Sequence, residues 1–119
     1  MAQWQVVYYS TVSGEQPVLD YIAAQDQAQM AHIAHHINML VILGIELGFP
    51  HTSHVQGPIW ELRIRGRTQH RVLYFAARGH RLVLLHAFTK TGQKIPEREI
   101  RVAEARLKEM QERLGGEDQ

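Results

Sequence analysis

The sequence predicts an α+β domain of order β-α-α-β-β-β-α, an antiparallel sheet with a two-helix N-terminal hairpin and a C-terminal helix. Three observations lead there. Apolar residues recur at helical spacing around 17–43 and again over 97–114. Three segments between 59 and 89 are rich in β-forming residues. Glycine and proline stand where one period gives way to the other. At 119 residues the chain fits a single domain, placed at 1–114, with a disordered tail over 115–119.

Trp4 to Tyr9 reads as the first strand, and Ser13-Gly14 breaks it. Pro17 to Ile22 forms a short helix with proline in its first turn. Asp26 caps a longer helix whose apolar positions, Met30, Ile33, Ala34, Ile37 and Val41, repeat at three and four. Gly44 or Gly48 ends it. Residues 49–58 read as a loop punctuated by Pro50, Gly57 and Pro58. In the next strand Trp60, Leu62 and Ile64 alternate with Glu61, Arg63 and Arg65, the pattern of a sheet with one buried and one wet face. His70 to Ala77 is a strand paired through the turn Arg78-Gly79-His80 to the last one, Arg81 to Thr89. Strict alternation there puts Leu82, Leu84, His86 and Phe88 on one face. Pro96 opens the final helix, with Ile100, Ala103, Leu107, Met110 and Leu114 as its apolar stripe.

Charge is segregated. Residues 1–62 hold five acids and no Lys or Arg, whereas 63–94 hold eight basic residues and no acid. Such a stretch attracts a polyanion, and phosphate is the commonest. The chain has no cysteine, so neither disulfides nor thiolate metal sites arise. No apolar run approaches the roughly 20 residues of a membrane span, and Met1 to Trp4 lacks the look of a signal peptide. A cytoplasmic protein without membrane contact is expected. A glycine-rich phosphate loop, a nucleophile elbow and a zinc-protease motif are all missing.

Arg63 and Arg65, two apart on a strand, project from one face with Glu61 beside them. Arg71 opens the next strand and Lys90 closes the last, so four cations from neighbouring strands can converge on one phosphate. That arrangement suits the extra negative charge of a phosphorane. An exposed sheet face with scattered arginines is the plainer alternative. Phe88 shares a face with Lys90 and is a base-stacking candidate, although strand aromatics such as Tyr74 and Phe75 are more often core. His86 lies beside the basic group and can act as general acid or base, or be a hydrogen-bonded core histidine. His32, His35 and His36 have helical spacing that can hold a metal, but a solvated helix face explains them better.

The run Gly57-Pro58-Ile59-Trp60-Glu61-Leu62-Arg63-Ile64-Arg65, with His70-Arg71-Val72-Leu73-Tyr74-Phe75, Leu84-Leu85-His86-Ala87-Phe88-Thr89-Lys90 and Lys94-Ile95-Pro96, resembles the phage-derived HigB-like branch of the RelE toxin superfamily. The resemblance spans about residues 1–112. His70, Ala87 and Thr89 stand where that branch usually has tyrosine, glycine and lysine. It implies the toxin of a type II toxin–antitoxin pair, cutting mRNA on the ribosome without metal or other cofactor. The implied chemistry is attack of a ribose 2′-hydroxyl on the adjacent phosphate. Arg71, Arg65, Lys90 and His86 would be catalytic; Arg63, Arg67, Phe88 and Lys94 would bind RNA. The implied protein partner is a helix-turn-helix antitoxin that covers or distorts the basic face. A catalytically silent relative that binds RNA or protein, and a histidine-based metalloenzyme, are the competing readings.

Overall fold

The computed structural model describes residues 3–114; the tail expected over 115–119 lies outside the described residues. In chain order the elements are β1 (Gln5–Tyr8), α1 (Pro17–Ala23), α2 (Gln27–Leu43), a 3-10 turn (Gly44–Glu46), β2 (Thr52–Gln56), β3 (Ile59–Ile64), β4 (His70–Ala77), β5 (Arg81–Thr89) and α3 (Glu97–Leu114). Their ends have local causes. The Asp26 side chain accepts from the Gln29 amide at 2.8 Å and caps α2. Gly44 ends that helix at φ +55°, against the indole of Trp4. Gly79 and His80 take positive φ in the β4–β5 turn, as a tight hairpin requires. The His80 ring stacks on Trp4 with centroids 4.5 Å apart.

The architecture is α+β, but it departs from the predicted order in three ways. Residues 49–58 are not all loop: Thr52–Gln56 forms β2, antiparallel to β3 at the sheet edge. Its sequence, Thr-Ser-His-Val-Gln, carries one large apolar residue and so gives almost no period-two signal. The sheet is mixed rather than antiparallel. Its order is β1-β5-β4-β3-β2, and β1 runs parallel to β5 because the two N-terminal helices carry the chain across. Both faces are covered rather than one. A core of Val18, Ile33, Leu40, Leu62, Ile64 and Leu84 lies under α1 and α2. A second core, with Ile59, Leu73, Phe75, Leu85, Ala103 and Leu107, lies under α3. Burying each of the larger of these side chains contributes about 1.5–3 kcal/mol relative to leaving it exposed.

The alternation predicted for β5 is also broken. The register steps from Tyr74↔Leu84 to Leu73↔His86, leaving Leu85 as an extra residue. Leu82 and Leu84 therefore face α1 and α2, whereas Phe88 packs in the α3 core and His86 bonds to that helix. The stretch Gln27–Glu46 has a mean hydropathy of 1.2 and by length and composition alone could cross a membrane, contrary to the sequence expectation of no such run. Its residues Ile33, Ile37 and Leu40 instead form core with the sheet.

Candidate functional site

The strand register assembles the site on the α3 side of the sheet. Across β3, β4 and β5, Arg63 lies opposite Arg71 and Arg71 opposite Phe88. In the adjoining row Glu61 lies opposite Leu73 and Leu73 opposite His86. Two like charges face to face on neighbouring strands repel, and Glu61 is what holds them. Its carboxylate lies 3.1 Å from Arg71 Nε and 3.8 Å from Arg63 Nε.

Arg71 is 1 % exposed. Its Nη1 donates to the His70 carbonyl and its Nη2 to Gln69 Oε1, each at 3.2 Å. Its pKa is lowered, first by burial and then by the neighbouring charges of Arg63 and Arg65, while Glu61 opposes the shift. An arginine nonetheless keeps its proton. The ion pair with Glu61 is close but not aligned as a hydrogen bond. Glu61 Oε1, Arg63 Nε and Arg71 Nε are thus buried polar atoms without a directed partner among the described residues. Two adjacent guanidiniums on one sheet face can donate to the oxygens of an anion.

The remaining predicted site residues divide. Arg65 is exposed just beyond β3, close enough to act on Arg71 electrostatically. Lys90 is half-buried beyond β5. Its amide donates to the Gln69 carbonyl at 2.8 Å, and its ammonium turns to the Gly92 carbonyl. Arg67 and Lys94 are exposed on the loops before β4 and after β5. These loops lie at the Arg71 end of the strands, whereas Arg78 lies seven residues further on, about 24 Å along β4. Phe88 is 6 % exposed, packed in the α3 core and stacked on His86, so its ring is not open to a base.

His86 is held by α3. Its Nε2 donates to Glu99 Oε1 at 2.6 Å, and Arg106 Nη1 lies 3.4 Å from its Nδ1 while donating to the Leu85 carbonyl at 2.9 Å. Burial lowers its pKa, Glu99 works the other way, and Arg106 adds to the lowering. The ring stands two strand spacings, about 10 Å, from the strand bearing Glu61. Glu99, Arg106 and Gln69 carry no sequence signal for this site, and Glu61 carries only its place beside Arg63. Period two on β3 is the one signal, and it reaches Glu61 alone.

Of the helical histidines, His35 is exposed, as a solvated face predicts, whereas His32 and His36 are bonded into the fold. His32 Nε2 bonds the Arg65 carbonyl at 2.7 Å, and His36 Nδ1 bonds the His32 carbonyl at 2.9 Å. Among the described residues no three His, Asp or Glu side chains converge so as to hold a metal ion. On the other side of the sheet Ile45, Pro58, Trp60 and Tyr74 line a cleft of about 390 Å³. Ile42, Ile45, Phe49 and Trp60 are exposed apolar side chains, and the Arg63 guanidinium lies over the Phe49 ring.

A family model described as "Phage derived protein Gp49-like" matches residues 20–108, a span that runs from α1 into α3 and contains Glu61, Arg63, Arg71, His86 and Arg106. No curated protein matches the chain.

Proposed function

From the chain's membership of the phage-derived Gp49-like family, a RelE-like family of toxin–antitoxin systems, we propose that this protein is the toxin of such a pair and acts on RNA through the Arg63–Arg71 face. The observation that carries the reading is the pairing of Arg63 and Arg71 on one sheet face with a single buried carboxylate between them. A phosphate that enters competes with Glu61 for the same guanidiniums. The reaction proposed is attack of a ribose 2′-oxygen on the adjacent phosphorus. A P–O2′ bond forms, the P–O5′ bond breaks, the 2′ proton is removed and the departing 5′-oxygen gains one. Arg71 and Arg65 offset charge on the phosphorane. Arg63, Arg67, Lys90 and Lys94 grip the flanking phosphates. His86 is the candidate proton carrier, and mRNA on the ribosome is the proposed substrate. The HigB-like branch, the cytoplasmic setting and a helix-turn-helix antitoxin as partner belong to the same proposal. The exposed apolar residues around Phe49 and Trp60 are compatible with a protein partner.

A second reading, a silent RNA- or protein-binding module, is favoured by one observation: Glu99 and Arg106 already occupy both ring nitrogens of His86. Inducible expression separates the two. A toxin stops growth, and sequencing of RNA 5′ ends shows new 5′-hydroxyl cuts in translated messages. The paired substitution Arg63→Ala and Arg65→Ala relieves the arrest while circular dichroism shows the fold intact. Growth without arrest and without new ends would leave the binding module standing.

A further inference from the structure

Behind Arg71, on the opposite face of β4, a polar relay that the proposed chemistry does not use runs from a buried histidine to the surface. His70 has no exposed surface. Its Nδ1 lies 2.7 Å from Tyr21 Oη on α1, and its Nε2 lies 2.7 Å from Gln29 Oε1 on α2. Tyr21 Oη lies in turn 2.6 Å from Thr89 Oγ1, and Thr89 is the β5 partner of His70 in the register. One histidine therefore ties α1, α2 and β5 to the strand that carries Arg71.

The proton assignments follow from the acceptors. An amide oxygen only accepts, so Nε2 carries the hydrogen and donates to Gln29. Nδ1 is then a bare acceptor, filled by the Tyr21 hydroxyl, and Thr89 donates to Tyr21. Every member of the relay is satisfied, so the buried ring at its centre has one preferred orientation. The link to the site is short. The His70 carbonyl accepts from Arg71 Nη1, and the preceding residue, Gln69, accepts from Nη2 and holds the Lys90 amide. Residues 69–71 thus grip the guanidinium on one face, while the His70 ring pins them from the other.

We propose that His70, as a neutral ring protonated on Nε2, is the positioning residue of the cationic site, and that protonating it loosens the placement of Arg71. A second proton requires Tyr21 to reverse from donor to acceptor and puts a cation on a ring that has no exposed surface, one residue from Arg71. The groups that face the ring are Tyr21 from α1, Gln29 and His32 from α2, Asp26 at the cap of α2 and Thr89 from β5, while Arg71 projects from the other face of the strand. Burial and His32 hold the ring's pKa below its ordinary 6.5, against the weaker opposing pull of Asp26. The relay is accordingly intact at neutral pH and fails as pH falls below the ordinary histidine value.

The relevance to RNA rests on the function proposed above; the relay itself does not. The test follows the Arg71 Nε–Hε resonance of the isolated full chain by NMR, together with its affinity for a fluorescein-labelled single-stranded 12-nucleotide RNA, from pH 5 to 8. Tyr21→Phe keeps the ring and removes the hydroxyl. It is expected to shift the Arg71 signal and to weaken RNA binding roughly fivefold to tenfold, the worth of a directed hydrogen bond. His70→Gln can accept from Tyr21 and donate to Gln29. It is expected to keep the neutral-pH signal and affinity within about twofold, and to remove a pH transition whose wild-type midpoint lies below 6.5. An unmoved Arg71 resonance in a folded Tyr21→Phe protein, or an unaltered pH transition in His70→Gln, overturns the proposal. Wild-type protein that binds no RNA yet shows these Arg71 shifts overturns the functional reading alone.

Discussion

Arg71 is a full positive charge at 1 % exposure whose carboxylate partner, Glu61, is itself 8 % exposed. Removing one member strands the other in a low-dielectric interior, which costs about 3–5 kcal/mol. Arg71→Ala is therefore a poor test of catalysis by itself, because loss of fold and loss of chemistry coincide. Arg71→Met is expected to lower the unfolding free energy, read from urea titration, by an amount in that range. Arg71→Met combined with Glu61→Gln is expected to recover much of the loss, because the buried cation and its carboxylate leave together and only the less buried Arg63 loses a partner. If the double variant loses the sum of both single effects, the pair is not coupled as described. At this scale the sequence exposed the cations but not their environment. Period two on a strand places Glu61, Arg63 and Arg65 on one face, and that much is legible in Glu-Leu-Arg-Ile-Arg. That the face is covered by a helix, and that Glu99 and Arg106 close on His86, depends on how α3 docks, and docking has no local signature.

Among the elements, the end of α2 shows how tightly a helix terminus can be specified. Gly44 sits at φ +55°, and a Cβ there would lie 1.9 Å from Trp4 Nε1, inside any allowed contact. The backbone of Trp4 is bound at the same place, its amide donating to the Val41 carbonyl at 3.0 Å. Gly44→Ala must therefore push the indole out of its seat as well as strain the backbone. A loss of about 1–3 kcal/mol is expected from overpacking alone. It is measured by thermal melting, with a change in tryptophan emission as the sign that Trp4 has moved. Gly14→Ala, with nothing within 4 Å of its Cβ, controls for positive φ without a clash. The sequence marks Gly44 as a stop but not as a contact, since Trp4 is forty residues away. Elements with strong periods, α1, α2, β3, β4 and α3, are legible. The short edge strand β2 and the bulge at Leu85 are not: the first lacks apolar alternation, and the second is one extra residue in a run that is apolar either way.

Over the whole molecule two fields are set by the distribution of charge and of buried histidine. His36, His70 and His86 all have lowered pKa values, with burial the first cause in each. An unfolded chain takes up these protons near 6.5, whereas the folded chain resists them to lower pH. Stability is thus complete above about 6.5 and falls as pH drops through the window beneath it. Melting temperatures measured from pH 8 to 5 are expected to be flat and then decline, and a rise on acidification would contradict the assignment. The second field comes from the segregation visible in the sequence, eight basic residues and no acid over 63–94. The fold splits that stretch, sending Arg63, Arg65, Arg67, Lys90 and Lys94 to one end of the strands and Arg78 to the hairpin at the other. Binding of single-stranded RNA should therefore depend on salt through the first group alone. If about four phosphates are neutralised, log K falls with log[salt] at a slope near −3, about −0.7 for each contact. Arg65→Ala is expected to reduce that slope by about 0.7, whereas Arg78→Ala leaves it unchanged. Equal effects from both would mean that RNA reads the net charge of the chain and not the site, and the geometry at Arg71 would then have no part in recognition.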